Sequence, residues 1–397
     1  MSLPMNLPPE VQRPEGETEY PFHRLMRRSQ NYRWWKPLAF TGTGIGFFAA
    51  ALVIAIVVMV VALLANPLTW NAKNPDEAPD AFLMNPDLNM ASAADFSITM
   101  ASLIIMIPAV YLAYLLLGPK PVGLLLSVAG KLRWRWFGRA IGISALLFAV
   151  YFALNFGLSA LGIGESAPVP ASSIPTDPLF YALLVILLTP FQCAAEELVF
   201  RGAFMQVIGS WLKHPLFAIL LPVPFFAIGH LYDIWGLLDV SVFAIAAGYL
   251  TWRTGGLEAA IAMHIINNTF LFLLGAIGVV DLNATESNPL SLVFSICFTA
   301  LMTFVLVKLA AKHNIARTAG PLPAVVPSPM LQPWQMNQPP MNPNQAYWAP
   351  PAYQAGTPQG VSSDPAVAPP TSPTADFPDR QSPDSYGGHS SKSDSIT

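Results

Sequence analysis

Thr189–Arg201 reads TPFQCAAEELVFR and sets Glu196, Glu197 and Arg201 at the end of an apolar run, Leu179–Leu188, that contains no charge. On insertion scales a charged side chain at the centre of a membrane helix costs roughly 2.5 to 3.5 kcal/mol, whereas each Leu, Val or Phe returns only about 0.3 to 0.6. Three charges there need a reason. Glu197 and Arg201 lie four apart, share a helix face and can neutralise each other. Glu196 is rotated about 100° from Glu197, which leaves it as the freer carboxylate in a poorly solvated position, where a general base would sit. A loop just outside the bilayer would also accommodate the three charges, since Gly202 follows Arg201 and can mark a helix end.

Composition settles the surroundings of this stretch. The 397 residues are 53% hydrophobic and 11% charged, with a mean hydropathy of +0.48, which excludes a water-soluble globular protein. An all-α polytopic membrane helix bundle of about eight spans is expected. The net charge of -3 carries no message, and no nucleic-acid partner is expected. Cys193 and Cys297 both lie in apolar runs, without metal-ligand neighbours at the usual spacing, and read as small core residues.

Residues 1–36 form a basic N-terminal segment, with His23, Arg24, Arg27, Arg28, Arg33 and Lys36 ahead of the first apolar run, Pro37–Leu64. That run begins too far from the terminus for a cleaved signal peptide, and its basic flank predicts a cytoplasmic N-terminus in a cell-membrane protein. An acidic loop, Asn66–Asp95, leads to a second span, Phe96–Leu117. A basic, tryptophan-bearing loop with Lys131, Arg133, Arg135 and Arg139 follows, suited to the anionic inner leaflet. Ala140–Leu161 is the third span, and the fourth runs from Leu179 to about Phe204.

Between Lys213 and Arg253 two short spans are expected, the first kinked by Pro222 and Pro224 and the second, Leu237–Trp252, closed by the WRTGG turn. Leu257 to about Val280 and Leu290–Ala311 complete the set, and the basic residues after the last span put the C-terminus on the same side as the N-terminus. The domain reading is therefore 1–36 as the basic segment, 37–178 as N-terminal spans and loops, 179–317 as the core, and 318–397 as a disordered Pro-rich tail. The tail cannot bury enough apolar surface to offset chain ordering. Its PPAY stretch, Pro350–Tyr353, would suit a partner that reads extended proline-rich ligands, although such a match also arises by chance in a Pro-rich tail.

Three further polar groups sit within spans. His230 closes the fifth apolar run, and His264 and Asn268, four apart, share one face of the seventh. Together with the carboxylates they spell EExxxR at Glu196–Arg201, FxxxH at Phe226–His230 and HxxxN at His264–Asn268, with Trp252–Gly256 just ahead of the last. In that order and at those intervals, from about Leu179 to Ala276, the chain resembles the CPBP family of intramembrane proteases, which includes the type II CAAX prenyl endopeptidases and bacteriocin-immunity relatives.

What the resemblance implies is a cavity inside the membrane where a peptide bond of a membrane-embedded or lipid-anchored substrate is hydrolysed. Glu196 with His230 would activate a water, and His264 with Asn268 would stabilise the oxyanion. Glu197 and Arg201 would be structural and tuning partners. The family's older label is metalloprotease, and two histidines with a glutamate could hold zinc with an open fourth position, the ligands then being His230, His264 and Glu196. The contiguous HExxH arrangement is absent, so no metal is assigned and no cofactor is required by this reading. Two other classes use the same residues differently: a non-proteolytic immunity or scaffold protein held together by these polar groups, and a transporter, for which an internal repeat would be expected and none is evident. A prenylated substrate does not follow from the residues.

Overall fold

The computed structural model describes residues 19–29, 31–65, 89–161 and 168–320. The acidic loop falls mainly outside these residues, and the tail from 321 onward lies outside them altogether. The expected all-helical membrane bundle is found. Its helices are α1 (Lys36–Ala65), α2 (Ala93–Ile104), α3 (Met106–Leu117), α4 (Trp134–Ala160), α5 (Pro178–Glu197), α6 (Met205–Trp211), α7 (Pro215–Leu220), α8 (Val223–Ile228), α9 (Ile234–Thr254), α10 (Glu258–Ala276) and α11 (Pro289–Lys312). A π-helical turn, Leu198–Phe204, joins α5 to α6. A two-residue strand at Tyr20–Pro21 pairs antiparallel with another at Thr318–Ala319.

Local chemistry explains the boundaries. Asp177, Asp233 and Asn288 each accept a hydrogen bond from a backbone N–H in the first turn of α5, α9 and α11. Pro178 and Pro289 stand at first helical positions, where no N–H partner is lost. The break between α2 and α3 at Ile105 follows from Pro108, whose ring opposes the carbonyl of Ile104. Helix α4 starts at Trp134 rather than Ala140, so the expected basic and aromatic loop is partly the first turns of a span.

Seven helical stretches among the described residues are long and apolar enough to cross a membrane, and the Pro215–Ile228 stretch is shorter. Contacts between elements supply the missing crossing. The paired strands, the His23–Lys213 carbonyl contact and the bond from Val128 N–H to the Gly255 carbonyl define one end of the bundle, the strand end. Asn283, which bonds Asn89, Ser173 and the Met90 N–H, defines the other, where the Asp233 N–H also meets the Thr285 carbonyl. Lys213 is thus at the strand end and Asp233 at the Asn283 end. The chain between them returns across the layer through α7, α8 and a loop. Pro222 and Pro224 prevent one continuous helix, and both termini of the described chain emerge at the same end, as an even number of passes requires.

Two features of the strand end had no counterpart in the sequence reading. Phe22–Arg28 folds as a 3-10 helix with Phe22 and Leu25 fully buried. Arg24 donates to the Gly209 carbonyl at 3.0 Å and Arg27 to the Ser210 carbonyl at 2.7 Å, so basic residues meet the end of α6, where carbonyls lack helical partners. The Pro178–Trp211 stretch is 34 residues, about 51 Å at 1.5 Å per residue against a hydrocarbon layer of about 30 Å. The stretch is thus longer than one upright crossing needs, and the N-terminal segment packs on its last turns.

Arg133 forms a second brace. It bonds both carboxylate oxygens of the fully buried Glu258 at 2.8 and 2.6 Å, and also the Thr254 and Ala316 carbonyls. The WRTGG turn makes room for it. Gly255 has φ +67°, and a Cβ on Gly256 would lie 2.4 Å from both the Arg133 guanidinium and the Glu258 carboxylate. Glu258→Ala would leave a charge-forked guanidinium without its anion. It is expected to destabilise the protein by about 3 kcal/mol in thermal unfolding in detergent, with Arg133→Met/Glu258→Met less damaging than the single change.

Candidate active site

On α5 the residues Thr189, Gln192, Cys193, Glu196 and Glu197 recur at intervals of three and four, and all five are buried on one face. That face packs along α10, whose own buried face carries His264 with Asn268 one turn further. The π-helical turn begins directly after Glu197. Such wide turns are associated with functional positions because they redirect side chains without ending the helix.

At the seam the charged groups converge. Arg201 Nη1 donates to Glu197 Oε1 at 2.8 Å, and His264 Nδ1 lies 3.0 Å from the same oxygen. The other ring nitrogen of His264, Nε2, faces Glu196 Oε2 at 3.6 Å, beyond a hydrogen bond but within ion-pair reach. One imidazole is therefore bracketed by two carboxylates from the neighbouring helix. Glu197 is fully buried, and Arg201, His264 and Glu196 are 2%, 3% and 7% exposed. Because Arg201 offsets Glu197, Glu196 is left as the carboxylate without a cationic side chain on its own helix. Glu196 Oε2 and Glu197 Oε2 make no hydrogen bond among the described residues.

Aromatic rings wall this cluster. The Arg201 guanidinium lies over the Phe226 ring at 4.2 Å, and Phe226 and Phe243 meet the His264 ring edge-on with centroids at 6.2 and 4.9 Å. His230 reaches the cluster through Phe226: the rings are 5.0 Å apart, and His230 Nδ1 is 3.0 Å from the Phe226 carbonyl oxygen. Asn268 Nδ2 donates to Gln192 Oε1 at 3.4 Å, and Asn268 Oδ1 accepts from Asn267 Nδ2 at 3.0 Å.

The structure thus brings Glu196, Glu197, Arg201 and His264 into direct contact. It sets Asn268 one turn along α10 and joins His230 through an aromatic ring rather than a polar atom. The close neighbour of Glu196 is His264. Asn267, the residue before Asn268 on α10, donates to the Asn268 amide oxygen. Gln192 was missed, though a lone polar side chain four residues ahead of Glu196 in an otherwise apolar run was its signal.

Depth follows from helix rise. Glu196 lies about 27 Å along α5 from Pro178, and His264 about 9 Å along α10 from Glu258, so the cluster sits in the part of the layer nearer the strand end. The zinc set read from the sequence is Glu196, His230 and His264. Among the described residues no three His, Cys, Asp or Glu side chains are grouped to hold a metal. Each imidazole engages its Nδ1, His264 with Glu197 and His230 with the Phe226 carbonyl, which leaves Nε2 of each ring outside these bonds.

Comparison with known proteins bears on the same segment of the chain. Residues 175–270 match the family described as Type II CAAX prenyl endopeptidase Rce1-like, a family of membrane proteases, and that segment holds the two carboxylates, both histidines and Asn268. An uncharacterized protein of Bacillus subtilis (strain 168), YyaK, is 27% identical over 174 residues, which is 42% of this chain and 56% of that protein. The chain spans about half the length of this curated relative. No solved structure matches. The resemblance read from the motifs is therefore borne out over the segment that carries them, in a multi-pass membrane protein.

Arg201→Met removes the guanidinium bonded to Glu197 Oε1 and leaves a buried carboxylate. A loss of about 3 kcal/mol is expected in thermal unfolding, and Arg201→Met/Glu197→Gln should recover much of it.

Proposed function

We propose that this protein is an intramembrane endopeptidase that hydrolyses a peptide bond of a membrane-embedded or lipid-anchored substrate. The observation that carries this reading is the imidazole of His264 held between two buried carboxylates at the α5–α10 seam. Glu196, whose Oε2 is without a hydrogen-bonded partner, takes a proton from water. The hydroxide so formed attacks the scissile carbonyl carbon, and Glu196 then delivers that proton to the leaving amine as the C–N bond breaks. Glu197 fixes the His264 ring through Nδ1, so Nε2 is the atom presented to the reacting centre. A protonated Nε2 and the Asn268 amide donate to the oxyanion, and fixed donors in a water-poor site stabilise such charge strongly. His230 stands apart from this water across the Phe226 ring, and no step is assigned to it. No step is routed through a metal.

The basic side chains of Arg24, Arg27, Arg133, Arg253, Lys312 and Arg317 gather toward the strand end. This supports placing that end, with both termini, in the cytoplasm of a cell-membrane protein. A site in the cytoplasmic part of the layer suits a substrate whose cleaved segment emerges on that side.

The test is cleavage of membrane-anchored peptides by the full chain in proteoliposomes. Glu196→Gln is expected to lose about 10²- to 10⁴-fold in rate and Asn268→Ala about 10²- to 10³-fold, with folding preserved. Cleavage by Glu196→Gln at the wild-type rate would overturn the proposal and favour a scaffold or immunity role. In the same assay a zinc chelator is expected to leave the rate unchanged. Stoichiometric zinc in the purified protein, with loss on chelation and recovery on adding zinc, would contradict the metal-free route.

A further inference from the structure

Helices α5 and α10 run in opposite directions, since α5 ends and α10 begins toward the strand end. Two pairs with helical spacing therefore face each other as rungs. Glu196 opposes His264, and one turn away Gln192 opposes Asn268. Both members of the second rung are amides. Gln192 is 3% exposed, and its Oε1 lies 3.4 Å from Asn268 Nδ2 and 3.3 Å from Cys193 Sγ. The Asn268 oxygen is engaged from the other side by Asn267 Nδ2. A primary amide carries two N–H donors and one acceptor oxygen. With the oxygen on Asn267 and one N–H on Gln192, the second N–H of Asn268 has a fixed direction.

We infer that Gln192 is a positioning residue for the proposed hydrolysis. Its side-chain oxygen holds the Asn268 amide so that an N–H, and not the amide oxygen, faces the developing oxyanion. Without that acceptor the amide can turn over about its last torsion and present an oxygen to negative charge, which would oppose the reaction. The low-dielectric seam magnifies the difference, and preorganised donors contribute only while their direction is held. Cys193 and Asn267 act on the same two amides, but neither lies on the Glu196–His264 axis as Gln192 does, four residues before Glu196 on one face.

This inference rests on the oxyanion role of Asn268, and a double-mutant cycle in the proteoliposome assay separates the two. Gln192→Met, similar in length and without the acceptor, is expected to lower kcat about 10- to 100-fold with KM within about twofold and little change in thermal stability. In the Asn268→Ala background the same change is expected to have no further effect, because the group it positions is gone. Gln192→Glu, which keeps an acceptor oxygen at the same reach, should stay above Gln192→Met in kcat. Should Gln192→Met fail to fold, Gln192→Asn, one methylene too short to bridge, takes its place. Wild-type kcat in the Gln192 variant, or losses that multiply in the double variant, would overturn the positioning role. Wild-type kcat in Asn268→Ala alone would instead remove the oxyanion reading beneath it.

Discussion

A guanidinium, two carboxylates and an imidazole share one buried place between α5 and α10, and the rest of the bundle is arranged so that they can. Ionised side chains taken out of water are tolerated only when paired and hydrogen-bonded. Arg201 and Glu197 satisfy each other across one helical turn, with Phe226 covering the guanidinium face. His264 then binds Glu197 from the opposite helix and turns its second nitrogen to Glu196. The neutralised pair is the foundation, and the buried Glu196 carboxylate, whose Oε2 makes no hydrogen bond among the described residues, is what it supports.

Holding this arrangement requires α5 and α10 to keep their axial register, and the strand end supplies that constraint. Arg133 and Glu258 tie the start of α10 to the loop before α4 and to the segment after α11. Phe22–Arg28 covers the turns that follow the π-helical stretch, and the paired strands close the two ends of the described chain on each other. A shift of either helix by one turn, about 5.4 Å, would exchange the rungs and leave Glu196 opposite an amide. The braces touch neither Glu196 nor Asn268, yet they fix which side chains meet.

Much of this was legible in the residues. The run Leu179–Leu188 ending in EExxxR announced a paired buried charge, and the structure contains that pair at 2.8 Å. Basic flanks gave both termini a common side, and in the described residues the strands Tyr20–Pro21 and Thr318–Ala319 pair with each other. Pro222 and Pro224 announced a broken fifth span, although a single kinked helix was expected and two six-residue helices are found. Spacing within one helix was readable, whereas contact between helices was not. Nothing local distinguishes whether Glu196 meets His230 or His264, because that depends on how α8 and α10 pack. Gln192 and Glu258 escaped notice for the same reason, since each matters through a partner distant in sequence. The buried N-terminal segment reads as an ordinary basic flank until its contacts with Gly209 and Ser210 are known.

The most direct measurement of the central claim is the separation of the Glu196 carboxylate from the His264 ring in protein reconstituted into bilayers. Dipolar-recoupling NMR between labelled side chains would provide it. The account predicts a contact close to the 3.6 Å between Glu196 Oε2 and His264 Nε2, together with a shorter one from Nδ1 to Glu197. A Glu196 carboxylate out of dipolar range of His264, with hydrocarbon side chains packed between them, would contradict it.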